Sequence, residues 1–96
     1  MNNFLYAKSD KNYLEIYLED NLVLLKRITI KSFEKQLSDC ANICRVHRSY
    51  IINLKVIKKV IGNSQGLQLW INDKEYIPVS RKLIPEFEYK FKNQNL

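Results

Sequence analysis

The chain has little of what punctuates or staples a fold: two glycines, two prolines, two cysteines and a single histidine in 96 residues. So few glycines and prolines exclude a collagen-like or low-complexity chain. Two cysteines cannot build the disulfide framework of a small secreted scaffold. No uninterrupted apolar run exceeds four residues, as at Leu22–Leu25, where a membrane-spanning helix needs about twenty. No apolar stretch follows Met1 as a secretory signal would require. The expectation is a soluble, cytoplasmic protein. What is present is a globular composition, 46% hydrophobic and 27% charged, in a chain the size of one domain. At that length roughly two-thirds of the unfolded surface is buried on folding, enough for a core without staples. One domain over residues 1–96 is the expected organisation.

Sixteen Lys and Arg against ten Asp and Glu leave a net charge of +6. Residues 1–44 balance six cations with six anions, whereas residues 45–96 carry ten and four, so the whole excess sits in the second half. Arg45, Arg48, Lys55, Lys58 and Lys59 follow one another with no intervening anion. A one-sided positive field suits a polyanion, either nucleic acid or an acidic membrane surface. The plainer reading is a solvated face.

Hydrophobic spacing predicts a mainly β chain with two short helices. Tyr13–Leu18 alternates, with Leu14, Ile16 and Leu18 on one side and Tyr13, Glu15 and Tyr17 on the other, as a half-buried strand does. Glu19-Asp20-Asn21 turns it into a returning strand, Leu22–Arg27, so the first quarter reads as a β-hairpin. Thr29 offers a helix N-cap ahead of Ile30, Phe33 and Leu37, and that helix should fade near Asp39–Asn42. Ile43–Val46 reads as a short strand. Val56–Ile61 fits a helical stripe, but its β-branched content favours a strand, followed by a hairpin loop at Gly62–Gly66 and a partner at Leu67–Ile71. Pro78 marks Glu75–Val79 as an edge strand or a strand end. Ile84, Phe87 and Phe91 are spaced for a final amphipathic helix that begins close to Pro85.

Catalytic constellations are thin. His47 is the only imidazole, and the Ser49 hydroxyl two residues away has no identifiable orienting acid. Gly62 and Gly66 are not followed by Lys-Ser/Thr, so there is no phosphate-cradling loop, and the dinucleotide fingerprint is missing. No catalytic residue and no cofactor is assigned, and an enzyme is not expected. Cys40, Cys44 and His47 are soft ligands at helical spacing, but a structural zinc site normally wants four, so no metal site is assigned. In a cytosolic chain two cysteines read as reduced, small, buried hydrophobes, with a redox-active pair the lesser alternative.

The most informative segment is Arg45-Val46-His47-Arg48-Ser49-Tyr50-Ile51-Ile52-Asn53-Leu54. An arginine fork fits two acceptors on guanine or two phosphate oxygens, while Val46, Ile51 and Ile52 can anchor the segment in a core. A strand-to-turn crossing whose arginines only pair with carboxylates fits the residues equally well.

Ile43-Cys44-Arg45-Val46-His47-Arg48-Ser49-Tyr50-Ile51-Ile52-Asn53 also resembles the central signature of the LytTR DNA-binding domain family, Phe-x-Arg-x-His-Arg-Ser-Tyr-aliphatic-Val-Asn. Ile77-Pro78-Val79-Ser80-Arg81 looks like the family's second hallmark at the expected separation. Phe4-x-Tyr6 through Asn12-Tyr13 is similar to its opening strand and loop, and Arg27-Ile28-Thr29-Ile30 to the start of its first helix. The likeness runs from about Phe4 to Phe91. Ile43 stands in place of the usual aromatic, and Lys8 where a carboxylate is common.

The resemblance implies an elongated stack of small antiparallel sheets whose loops, rather than a recognition helix, enter the DNA major groove at tandem half-sites. It implies a bacterial transcription regulator of the two-component type, a dimer on double-stranded DNA, with a receiver domain upstream and no membrane partner. The family's first one or two strands would precede Phe4, so the chain is expected to lack them. Carried over by position, Asn12, Arg48 and Arg81 are candidate base readers. Lys11, His47, Ser49, Ser80 and Lys82 are candidates for backbone contact or positioning. The alternatives are an RNA-binding β platform using Tyr13, Tyr17 or Trp70, and a protein-interaction module that uses an exposed sheet edge.

Overall fold

The structure, a computed structural model, describes residues 3–94. Eight strands and two helices follow in the order β1 (Phe4–Asp10), β2 (Tyr13–Leu18), β3 (Leu22–Lys26), α1 (Ile30–Gln36), β4 (Ile43–His47), β5 (Tyr50–Asn53), β6 (Lys59–Asn63), β7 (Gly66–Trp70), β8 (Tyr76–Val79) and α2 (Ile84–Asn93). A five-stranded antiparallel sheet has the order β3-β2-β1-β5-β4, and a three-stranded one the order β6-β7-β8. These are the expected small antiparallel sheets with two short helices.

Local chemistry accounts for most boundaries. The β1–β2 turn is tight because Lys11 adopts a left-handed φ of 56°, and the β2–β3 turn uses Asp20 and Asn21 at φ 64° and 62°. Asp and Asn tolerate that region through local hydrogen bonding. The Thr29 hydroxyl accepts from the Ser32 amide at 3.0 Å and caps α1. Pro85 lies in the first turn of α2, where its missing N–H costs no helical bond. Pro78 sits in β8, an edge strand.

Two segments differ from the sequence expectation. Tyr50–Asn53, read for its polar chemistry, is strand β5 at the centre of the larger sheet, paired with β1 and β4. Val56 does not begin a strand; it closes a 3-10 turn, Leu54–Val56, capped by the Asn53 side chain, and β6 starts at Lys59. Asn53 is 7% exposed and bonded at both amide atoms: its nitrogen donates to the Phe4 carbonyl at 3.0 Å, and its oxygen accepts from Asn42 and from the Lys55 amide. A buried amide is tolerated when its bonds are made.

The centre of the larger sheet, at β1 and β5, is buried on both faces, which explains why β5 does not alternate. Ile51 faces a cluster with Ala7, Leu14, Ile16, Phe33 and Leu37 beneath α1. Its neighbour Ile52 faces the opposite cluster, in which Cys44, Val46, Leu69, Ile77 and Phe87 join the second sheet and α2 to the first. Full burial of a side chain such as Phe87 contributes about 1.5–3 kcal/mol. The layers are thus α1, the five-stranded sheet, and the three-stranded sheet with α2.

Candidate functional site

Strand register brings the candidate residues to one end of this stack. Asn12 lies at the tip of the β1–β2 hairpin, and Arg48-Ser49 form the tip of the β4–β5 hairpin. Lys8 pairs with Tyr50, and the Ser9 amide donates to the Ser49 carbonyl at 2.9 Å, so the two tips are neighbours. The third segment, Ser80–Leu83, leaves β8 beside them, with the Ser80 amide donating to the Val46 carbonyl at 2.9 Å. Arg48, Ser80 and Lys82 line one cleft of about 350 Å³ together with Glu34, Arg45 and Glu86. Ser9, Lys11 and Asn12 line another, of about 400 Å³, with Arg27 and Thr29. Asn12, Arg48 and Arg81 are all exposed, as are Lys11 and Lys82, whereas His47, Ser49 and Ser80 are half-buried.

The two readings of the central segment are divided between its arginines. Arg45 pairs with a carboxylate: its Nη1 lies 2.8 Å from Glu34 Oε1, the one ion pair among the described residues. The same guanidinium donates from Nε to the His47 carbonyl at 3.0 Å and from Nη2 to the Arg48 carbonyl at 2.9 Å. It therefore ties the hairpin tip to α1. The register of β4 against β5 shifts between Arg45 and His47, so this fork holds the chain where ladder pairing is interrupted. Arg48 extends from the clamped tip into solvent. Sequence reasoning weighed carboxylate pairing for the arginines of this segment without a partner; the spacing of Arg45 from Glu34 gave no signal, because the pair spans two elements.

His47 acts within the same turn. Its Nδ1 accepts from the Ser49 amide at 3.1 Å, and its ring meets Tyr50 edge-on with centroids 5.6 Å apart. Burial, with Arg48 and Arg45 nearby, holds its pKa below the ordinary 6.5, which favours the neutral ring that can accept this bond. Arg27, another residue the sequence reading left without a role here, lies over the Tyr13 ring at 5.9 Å at this end of the sheet.

The long cationic run does not form one patch. Lys55 follows the far end of β5, and Lys59 lies opposite Trp70 in the row of Tyr76, at the end of the second sheet remote from Ser80. Of the aromatics considered for stacking, only Tyr13 is exposed. Tyr17 stacks on Tyr6 at 4.3 Å, with its hydroxyl bonded to Glu15 at 2.7 Å, and is half-buried. Trp70 packs on Tyr76 in the other sheet. Burial pushes the Cys44 thiol up to about 11, and Cys44 sits in the core as a small hydrophobe.

A two-sheet β scaffold thus carries exposed arginine, lysine and asparagine on neighbouring turns. The family model of the LytTr DNA-binding domain matches residues 1–92, and the chain belongs to that family. It is accordingly a DNA-binding domain of transcription regulation. A solved LytTr DNA-binding domain of a Bacillus cereus response regulator superposes with a TM-score of 0.82 at 22% identity, covering 93% of this chain and 81% of that one. An uncharacterized response regulatory protein of Vibrio cholerae serotype O1 is 32% identical over 87 residues, 86% of this chain. The chain spans about one third of the length of that relative, 33%. No helix among the described residues is long and apolar enough to cross a membrane.

Proposed function

We propose that the chain reads duplex DNA in the major groove through Asn12, Arg48 and Arg81, in the cytoplasm, as the effector part of a response regulator whose receiver lies upstream. The observation that carries this reading is the convergence of their three turns at one end of the stack, two of them joined by the bond from Ser9 to Ser49. Arg48 and Arg81 can each bond bidentately to guanine O6 and N7, and Asn12 to adenine N6 and N7. Lys11 and Lys82 supply phosphate attraction, while Ser49 and Ser80 sit where a hydroxyl can reach the backbone. His47 positions the tip through the Ser49 amide. Copies acting on tandem half-sites would each read one.

Selection from a randomised duplex pool, then fluorescence anisotropy on the selected duplex, a scrambled duplex, its single strands and the matching RNA, tests this. Arg48→Ala and Arg81→Ala each lower discrimination between selected and scrambled duplex by about 1–3 kcal/mol and leave weak, salt-sensitive binding. Equal losses on both duplexes would refute base reading, and preference for RNA would replace the DNA assignment.

A further inference from the structure

We infer that strand β3 is a self-pairing edge, through which two copies of this chain join their five-stranded sheets antiparallel about a two-fold axis. β3 is the outermost strand of its sheet, and Leu22, Val23, Leu24 and Leu25 are 54%, 47%, 44% and 64% exposed. Protein edges are ordinarily blunted by charge, proline or a covering segment. The other edges are interrupted within the strand: β8 carries Pro78, β6 exposes Val60 and Ile61 but turns at Gly62 with φ 131°, and at β4 the Val46 carbonyl accepts from Ser80. Among the described residues Leu22–Leu25 has none of them, the strand's one charge being Lys26 at its end. On the α1 side, Leu24 also borders an apolar groove of about 440 Å³ lined by Ile16, Leu18, Ile28 and Phe33.

Charge selects the occupant. Exposed Glu19 and Asp20 precede the strand, and exposed Lys26 and Arg27 end it. Antiparallel pairing of two copies centred on Val23 sets Lys26 beside Asp20 and Arg27 beside Glu19 of the other copy, and symmetry repeats both contacts. Parallel pairing would set like against like. In the antiparallel register Leu22 and Leu24 of one copy meet Leu24 and Leu22 of the other on the α1 side, extending the apolar groove across the junction. An isologous interface needs this self-complementarity, and cross-strand apolar and opposite-charge pairs stabilise it.

The consequence for DNA rests on the proposed reading. Lys26 pairs with Leu14, next to the Asn12 turn, so β3 ends at the same edge as the candidate base readers. Antiparallel joining points the two reading ends in opposite directions. Such a dimer bridges two duplex segments and does not place both copies on adjacent half-sites of one.

Sedimentation analysis of the full chain without DNA, over a wide concentration range, tests the pairing independently of DNA recognition. The expected result is a concentration-dependent shift from the chain mass to twice that mass. Leu22→Lys, which faces Leu24 of the other copy in this register, holds the chain at the monomer mass, with an unchanged circular dichroism spectrum because Leu22 is already 54% exposed. Two charge variants supply a second arm: Glu19→Lys with Asp20→Asn, and Lys26→Glu with Arg27→Glu. Each alone stays monomeric, and an equimolar mixture regains the dimer. A wild-type chain that remains monomeric throughout overturns the inference. So does a dimer that survives Leu22→Lys, or a mixture that does not reassociate.

Discussion

At the scale of single residues, the candidate interface depends on groups that never need to touch DNA. Arg45 spends all three of its guanidinium bonds inside the protein, on Glu34 and on the carbonyls of His47 and Arg48. Arg45→Lys keeps the charge and can keep the Glu34 contact, but lacks the planar fork. It is expected to weaken binding to selected duplex by about 1–2 kcal/mol while leaving scrambled-duplex binding unchanged, as measured by anisotropy. His47 makes the same tip pH-sensitive. Its native pKa is lowered, so the unfolded chain takes up the proton more readily. The stabilisation is complete above about pH 6.5, the unfolded value, and is lost as pH falls through the lowered native one. With one histidine in the chain, a fall in the urea midpoint between pH 7.5 and 5.5 belongs to this residue. His47→Asn, which keeps an acceptor that does not titrate, flattens that dependence.

At the scale of elements, the hairpins position the site, and one depends on a backbone only glycine adopts easily. Gly62 has φ 131°, and a Cβ there would stand 2.3 Å from the Gly66 carbonyl oxygen. Gly62→Ala is therefore expected to destabilise the domain by at least about 2 kcal/mol, read from the urea midpoint. Gly66→Ala, whose Cβ meets only the Val79 carbonyl at 4.0 Å, is expected to be neutral or mildly stabilising. The elements legible in the sequence were those with one wet face or a marked end, such as β2 with its alternation and α1 with Thr29. Strand β5 was not legible. Its residues face apolar surroundings on both sides, so period-two alternation, the usual signal of a strand, is absent.

At the scale of the whole molecule, the cations behind the net charge of +6 do not form one patch: Lys11 and Lys82 lie at one end of the stack, Lys55 and Lys59 at the other. Counterion release links each phosphate contact to the salt dependence of binding. Lys11→Ala and Lys82→Ala are each expected to reduce the slope of log affinity against log salt by roughly 0.9. Lys55→Ala and Lys59→Ala leave it unchanged, because those side chains lie at the remote end. Measuring the slope for the four variants on one duplex distinguishes the two groups. The sequence pointed to the right residue types and overestimated their grouping, since a run of cations along a chain that reverses at every hairpin is dealt out to both ends.

The opening β2–β3 hairpin, the Thr29 cap and the loop at Gly62–Gly66 were determined by local sequence, because turn propensity, capping and alternation act over a few residues, and the family by its two short motifs. Tertiary structure alone decided that Arg45 is bound inward and Arg48 left free, since that depends on Glu34 arriving from another element. It alone gathered Asn12, Arg48 and Ser80 at one end, through pairing between strands distant in sequence. It also left the four apolar residues of β3 at an open edge, a position that no local pattern specifies.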